Sequence, residues 1–169
     1  MSDDAGRALT YPEVGASRGT LPAGYRHLKV ERVLGSGDAT FRAAADRLLR
    51  WDMHRAAGLR IAPGTPPAAV GLEVRLEFGF GPLRLPAWCR VVDVLDEPDT
   101  RGFTYGTLTG HPEIGEETFL VERGTDGVVR GRVVAFSRHG RWYTKIAGPV
   151  GHLVQRRTAQ RYLDALAGT

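Results

Sequence analysis

The clearest periodic pattern in the chain is a strict alternation of apolar and polar residues over positions 70–80. A period of two places successive side chains on opposite faces of an extended strand, so one face is predicted to be buried and the other wet. The apolar positions of this strand are Val70, Leu72, Val74, Leu76, Phe78 and Phe80.

Less regular alternation predicts a set of further strands. Their expected ranges are 25–34, 83–95, 103–107, 116–122, 128–138 and 142–146. The connections between the later strands are too short to hold a helical crossover, so the sheet is predicted to be antiparallel. His27 falls on the polar side of the first strand and is expected at the surface.

Two stretches have helical periodicity instead. Apolar residues recur at helical spacings over 40–57, with Asp38 as the expected N-cap and Gly58 as the residue that ends the helix. A long second helix is predicted over 149–167. One stripe of this helix is expected to face the sheet, and it contains Gln155, Ala159, Tyr162, Leu163 and Leu166, with Thr158 on its flank.

The order of these elements indicates the fold class. A strand, a helix, a run of strands and a long helix follow one another, and a helix of that length, about 28 Å, can lie along strands of about 33 Å and cover one face of the sheet. We therefore predict an α+β, two-layer fold. Residues 1–24 are expected to form a partly ordered lead-in, and residues 25–169 a single domain.

The charge composition gives weak evidence for a nucleic-acid partner. The chain has 23 basic and 19 acidic residues and a formal net charge of +4. No clear set of aromatic residues is interleaved with the candidate basic patch on an exposed face, so we expect a solvated charged surface and no specific nucleic-acid binding. The patch would contain Arg130, Arg132, Arg156, Arg157 and Arg161.

The single cysteine and the lack of long apolar runs bear on the compartment. Cys89 excludes an intrachain disulfide and a Cys-rich metal site, and it is expected to be buried and inert. No apolar run approaches the ~20 residues of a membrane-spanning helix, so no membrane insertion is expected. These features predict a soluble, cytoplasmic protein, and they do not indicate its oligomeric state.

The stretch from Gly102 to Glu122 carries the most distinctive residues of the chain. His111 lies near Glu113, Glu116 and Glu117, but zinc sites usually combine two or three histidines, or histidine with cysteine. There is no G-x-S-x-G nucleophile motif and no G-x-G-x-x-G ahead of a helix. We therefore expect no metal and no cofactor, and the stretch specifies no reaction by itself.

The same stretch carries a series of ordered motifs. They are Gly102-Phe103, Tyr105-Gly106-Thr107-Leu108, Gly110-His111-Pro112, Gly115-Glu116-Glu117 and, further on, Ala135-Phe136-Ser137-Arg138. These motifs resemble those of an uncharacterised bacterial and plant family known only as a domain of unknown function. Further matches at 9–15, 148–149, 155–157 and 161–163 extend the resemblance over nearly the whole chain.

The resemblance implies a specific architecture. The expected architecture is similar to that of the helix-grip superfamily of START-type lipid-binding domains and plant pollen allergens. In these proteins a curved antiparallel sheet wraps around a long C-terminal helix, with a cavity between them. A shorter helical segment would follow the first strand. The family has no established activity, so the resemblance implies a place for a ligand and not its identity.

A cavity between the sheet and the last helix gives a set of candidate ligand-binding residues. Glu117 shares its strand parity with Phe119 and is predicted to face the core, where a buried carboxylate needs a partner. Arg90 or Arg138, on neighbouring strands, is the expected partner. Gln155 is expected to hydrogen-bond to the sheet backbone or a neighbouring side chain, with a water or a ligand as the alternative partner. The candidates are Trp51, Trp88, Tyr105, His111, Glu117, Arg138, Gln155 and Tyr162.

Three functions fit these expectations. The first is a binding module that accepts a small, mostly apolar molecule. The second is an enzyme that uses the same cavity, with Glu117 or His111 as acid or base and Tyr105 as donor. The third is a structural or interaction protein whose cavity is filled by its own side chains.

Overall fold

The computed structural model describes residues 6–80, 83–140 and 148–167. These residues form a seven-stranded sheet and three α-helices. In chain order the elements are β1 (Arg26–Ser36), α1 (Gly37–Leu49), α2 (Asp52–Ala56), β2 (Arg60–Ile61), β3 (Glu73–Phe80), β4 (Leu83–Asp96), β5 (Thr100–Thr107), β6 (Glu113–Arg123), β7 (Val128–His139) and α3 (Gly148–Ala167). The short strand expected at 142–146 lies outside the described residues.

The sheet is antiparallel, with the strand order β1-β7-β6-β5-β4-β3-β2. Strands β2 to β7 each pair with their sequence neighbours, because short connections place successive strands side by side. Strand β1 joins the sheet at the free edge of β7. The predicted α+β fold, a curved antiparallel sheet with a long C-terminal helix, is confirmed.

Strand β3 keeps the predicted alternation but begins later than expected. Val74 and Leu76 are buried, whereas Arg75 between them is exposed. The prediction that the strand begins at Val70 is wrong, because Val70 is 67% exposed and Gly71 has a φ of +88°, which belongs to a turn. The chain enters the sheet only after this turn.

The helix predicted over 40–57 is two helices. Helix α1 begins at Gly37, with Ser36 rather than Asp38 at the N-cap position. The chain breaks between α1 and α2 at Trp51, whose φ of +67° is left-handed. The indole is fully buried and its N–H donates to the carbonyl of Pro66 at 2.9 Å, so tertiary contacts hold a backbone conformation that helical periodicity alone does not predict.

Helix α3 packs against the sheet through the predicted stripe. Ala159, Tyr162, Leu163 and Leu166 are all buried. Gly131 on β7 makes the close approach possible, because a Cβ atom there would lie 2.8 Å from a methyl carbon of Leu163. We call the side of the sheet covered by α1, α2 and α3 the helix face, and the other side the outer face.

The N-terminal segment crosses the outer face and is held there by Glu116. Leu9 forms a β-bridge with Leu108. The buried carboxylate of Glu116 accepts hydrogen bonds from the Tyr11 hydroxyl (2.7 Å), from the Gly15 N–H (2.7 Å), and from both the N–H (3.0 Å) and the hydroxyl (2.5 Å) of Ser17. The donors come from the segment and the acceptor from β6, so the carboxylate joins the two.

Candidate ligand-binding pocket

A pocket of about 470 Å³ lies between α3 and the sheet, where β1 and β6 begin and β5 and β7 end. It is partly open to solvent, and most of its wall is apolar. We call it the α3 pocket. Its wall includes Phe78, Leu85, Ala135, Val154, Tyr105 and Tyr162.

Glu117 places a carboxylate in this wall. It lies opposite Tyr105 on β5 and Ala135 on β7, so the strand register brings these three side chains to the helix face, as the parity of the sequence predicts. The Tyr105 hydroxyl donates to Glu117 Oε2 at 3.1 Å. The accessible part of Glu117 faces the pocket.

The surroundings of Glu117 favour its neutral form. Burial raises the pKa of Glu117 from the ordinary 4.5 to about 7, the hydrogen bond from Tyr105 opposes this rise, and the nearby Glu113 carboxylate adds to it. The ionised and neutral forms are therefore both populated near neutral pH. Such a group can give or take a proton, or balance a positive charge.

Two tyrosines stand beside this carboxylate. Burial, and next the negative charge of Glu117, raise the pKa of both Tyr105 and Tyr162. A hydrogen bond with Tyr105 acts in the opposite direction on Tyr162. Both hydroxyls are therefore protonated at neutral pH, and they form a short polar chain with Glu117 inside an apolar wall.

A second polar group lies at the pocket end of β1, β6 and α3. The side-chain amide of Gln155 donates to Glu113 Oε2 and, at 3.2 Å, to Ser137 Oγ. Arg26 donates to the other oxygen of Glu113 at 3.0 Å and neutralises its charge. Gln155 thus has the side-chain partners that its position in the stripe was expected to require.

His111 also lines the pocket, in the loop between β5 and β6. Its Nδ1 lies 2.9 Å from the backbone nitrogen of Glu113 and 3.0 Å from its carbonyl oxygen, so it accepts from the N–H in one tautomer and donates to the carbonyl in the other. Burial lowers the pKa of His111 to about 4, against a backbone hydrogen bond that raises it. The imidazole is therefore neutral at physiological pH, and one nitrogen is occupied in shaping the loop.

Three of the candidate residues lie away from the pocket. Trp51 is in the core, with its ring centroid 4.8 Å from that of Phe103. Trp88 is on the outer face, where the guanidinium of Arg7 lies 3.9 Å from its ring centroid. Arg138 also points to the outer face and lies over the ring of Tyr25, 4.9 Å from its centroid.

The expected ion pair of Glu117 is not formed. Arg90 pairs with Glu73 on β3, and Arg138 is separated from Glu117 by the sheet. The expectation is wrong because two residues on neighbouring strands can pair only when both side chains lie on the same face of the sheet. On a sheet, one residue of offset moves a side chain to the opposite face.

His54 is a polar core residue that the sequence patterns do not predict. It is fully buried, its ring lies 4.8 Å from that of Tyr162, and neither ring nitrogen has a hydrogen-bond partner within the described residues. Burial, with a smaller effect of Arg55, lowers its pKa to about 3. His54 follows Trp51 by three residues, a spacing that puts two side chains on the same face of a helix. This spacing is the signal in the sequence from which its burial could have been predicted.

Among the residues that the structure describes, no group of three or more His, Cys, Asp or Glu side chains is arranged to hold a metal ion. No described helix is both long enough and apolar enough to cross a membrane.

Comparison with known families and structures identifies the chain's relatives. A family model described as Domain of unknown function (DUF1990) matches residues 10–165. The chain belongs to this family. A UPF0548 protein of Deinococcus radiodurans is 35% identical over 171 aligned positions, covering 95% of this chain and 86% of the relative. The predicted resemblance to a family of unknown function is confirmed.

Solved structures share the fold of this DUF1990 member at low sequence identity. Hypothetical protein jhp0584 from Helicobacter pylori has a TM-score of 0.61 and 11% identity, covering 95% of this chain and 94% of that one. The Zhui aromatase/cyclase from Streptomyces sp. R1128 has a TM-score of 0.55 and 19% identity, covering 85% and 92%. Ara h 8.0201 has a TM-score of 0.54 and 16% identity, covering 86% and 97%. These likenesses establish a helix-grip fold and nothing more specific.

Proposed function

We propose that this protein binds a small, mostly apolar molecule in the α3 pocket. The observation that carries the proposal is the pocket itself, about 470 Å³ with a mostly apolar wall. Pockets that bury small molecules in proteins typically have about 300–1,000 Å³ and a few polar groups that fix orientation. An interior filled by its own side chains would leave no such volume.

The polar groups of the wall occupy a small part of its surface, and two sets of them lie close to one another. Tyr105, Glu117 and Tyr162 form one set, and Glu113 with Gln155 forms the other. Most of the remaining wall surface is apolar, and apolar contact supplies most of the affinity for small molecules. The two polar sets would orient a ligand, because its polar groups could form hydrogen bonds only where these sets lie.

Binding of a fluorescent dye whose emission rises in apolar surroundings tests this proposal. The neutral dye N-phenyl-1-naphthylamine should bind the wild-type protein and lose its enhanced emission in the variant Ala135→Phe, whose added ring would fill the pocket. Thr158→Trp, on the opposite wall of the pocket, provides a second blocking variant. Val33→Phe is the control, because Val33 is 58% exposed and lies outside the pocket.

The outcome that contradicts the proposal is equal dye binding by wild type and by both blocking variants, with circular dichroism showing that all of them are folded. Dye binding would then occur elsewhere on the surface. Equal loss in Val33→Phe would also count against the α3 pocket.

A second candidate function is acid or base catalysis in the same pocket. The observation that favours it is the pKa of Glu117, raised by burial to about 7, beside the hydroxyl of Tyr105 at 3.1 Å. A general acid or base is most effective when its pKa lies near the working pH. His111 fits this role less well, because its Nδ1 is occupied by the backbone of Glu113.

Catalysis and binding can be separated by one variant. Glu117→Gln should keep the fold and the pocket but stop any conversion that needs proton transfer. Mass spectrometry of a bound molecule before and after incubation would detect such a conversion. An unchanged conversion rate in Glu117→Gln would exclude Glu117 as the acid or base.

A further inference from the structure

We propose that the ligand of the α3 pocket is an apolar organic cation, such as an alkylamine, whose positive charge pairs with Glu117. This inference rests on the proposed function and adds the chemical class of the ligand. It starts from the carboxylate of Glu117 in the pocket wall, which forms no ion pair within the described part of the chain.

Glu117 has no cationic partner among the residues that the structure describes. Its hydrogen bond comes from the neutral hydroxyl of Tyr105, and none of the ion pairs found in the described chain involves it. The other helix-face carboxylate of the wall, Glu113, is neutralised by Arg26 at 3.0 Å. When Glu117 is ionised, no ion pair among the described residues balances its charge, although the chain as a whole has a net charge of +4.

The titratable groups that the structure describes packed around Glu117 do not supply the missing charge. Cys89 on β4, Tyr105 on β5 and Tyr162 on α3 have pKa values raised by burial and then by Glu117, so they stay neutral. On α2, burial lowers the pKa of His54 to about 3, so its ring is uncharged at neutral pH. None of these described groups therefore brings a positive charge to this carboxylate, whereas a cationic ligand would.

The rest of the wall suits a cation with an apolar body. The hydroxyl oxygens of Tyr105 and Tyr162 can accept hydrogen bonds from an ammonium group, and aromatic rings attract cations through their negative faces. Apolar residues such as Phe78, Ala135 and Val154 would contact the hydrocarbon part. An anionic ligand would instead meet repulsion from Glu117 at close range in a medium of low polarity.

A matched series of ligands tests the inference. We would measure displacement of N-phenyl-1-naphthylamine at pH 8 by n-octylamine, n-octanol and octanoate, which share a chain length and differ in charge. Wild type should bind octylamine at least tenfold more tightly than octanol, and octanoate most weakly. Glu117→Gln should bring octylamine and octanol within about threefold of each other, since an amide cannot balance the ammonium charge.

Glu122→Gln is the matched control. It makes the same acid-to-amide change on the same strand, but Glu122 pairs with Arg132 at 2.9 Å and does not line the pocket. It should keep the tenfold preference for octylamine.

The possible failures are distinguishable. If none of the three ligands displaces the dye, and calorimetry detects no binding of any of them, the proposed function itself is wrong. If octanol or octanoate binds as tightly as octylamine, or if Glu117→Gln keeps the preference, the pocket binds apolar molecules but the assignment of a cationic ligand is overturned.

Discussion

Replacing Glu117 by glutamine should stabilise the protein at alkaline pH. The folded-state pKa of about 7 lies above the ordinary 4.5, so the contribution of Glu117 to stability is fully present below pH 4.5 and is lost as the pH rises through 7. Each tenfold change in acidity corresponds to about 1.4 kcal/mol. The full loss is then on the order of 3 kcal/mol, and water in the partly open pocket should reduce it to about 1–3 kcal/mol.

Glutamine has nearly the same shape as a protonated glutamate and keeps an oxygen to accept from Tyr105. Glu117→Gln should therefore be more stable than wild type by about 1–3 kcal/mol at pH 8, and this excess should shrink by more than half at pH 5. Had Glu117 been paired with Arg90 or Arg138, the same change would destabilise the protein by leaving a buried positive charge. The sign of the effect thus distinguishes the two arrangements.

Urea denaturation followed by tryptophan fluorescence at pH 5 and pH 8 measures this difference. Glu122→Gln serves as the control, because its surface ion pair with Arg132 is expected to contribute at most about 1 kcal/mol. The reasoning is refuted if Glu117→Gln is less stable than wild type at pH 8, or if its excess stability is equal at both pH values. Other groups that titrate, such as His54, contribute equally to both proteins and cancel in the comparison.

Three further predictions concern the core and the outer face. Glu116→Ala leaves several buried donors unpaired and should lower the free energy of unfolding by about 3 kcal/mol or more. It should also speed tryptic cleavage after Arg18. Cleavage as slow as in wild type would contradict the role of Glu116 in holding the N-terminal segment. The folded-state pKa of His54 is about 3 against an ordinary 6.5, so its contribution to stability is present above pH 6.5 and is lost as the pH falls toward 3. His54→Phe should remove up to roughly 1.4 kcal/mol per pH unit of that loss. Identical slopes of the free energy of unfolding against pH in the variant and the wild type would argue against this account. Val74→Asp should prevent stable folding while Glu73→Ala lowers the melting temperature only slightly, and equal melting temperatures would show that the faces of β3 are misassigned.

The sheet and the last helix could be predicted because their patterns are local. An alternation of period two predicts which face of β3 is buried without any knowledge of its neighbours, and helical spacing predicts the stripe that includes Ala159 and Leu163. Parity along β6 also predicted that Glu117 faces the helices. In each case the signal is contained in a few consecutive turns or strand repeats.

The features that were missed depend on distant contacts. The break at Trp51 exists because its indole reaches the carbonyl of Pro66 and the core around Phe103. The register of β4 shifts between Val91 and Asp93. The positions that face the core therefore change from odd to even or the reverse within one strand, and a single alternating pattern cannot predict them. Glu116 has the parity of an exposed residue and is buried only because the N-terminal segment covers it.

Native mass spectrometry of the protein purified from its own cells tests the central claim most directly. We predict that wild type retains a small non-protein mass that collisional activation releases, and that folded Ala135→Phe and Thr158→Trp carry little or none of it. A wild-type protein found only at the mass of its chain, or an equal adduct on the blocking variants, would contradict the claim that the α3 pocket is a ligand-binding site.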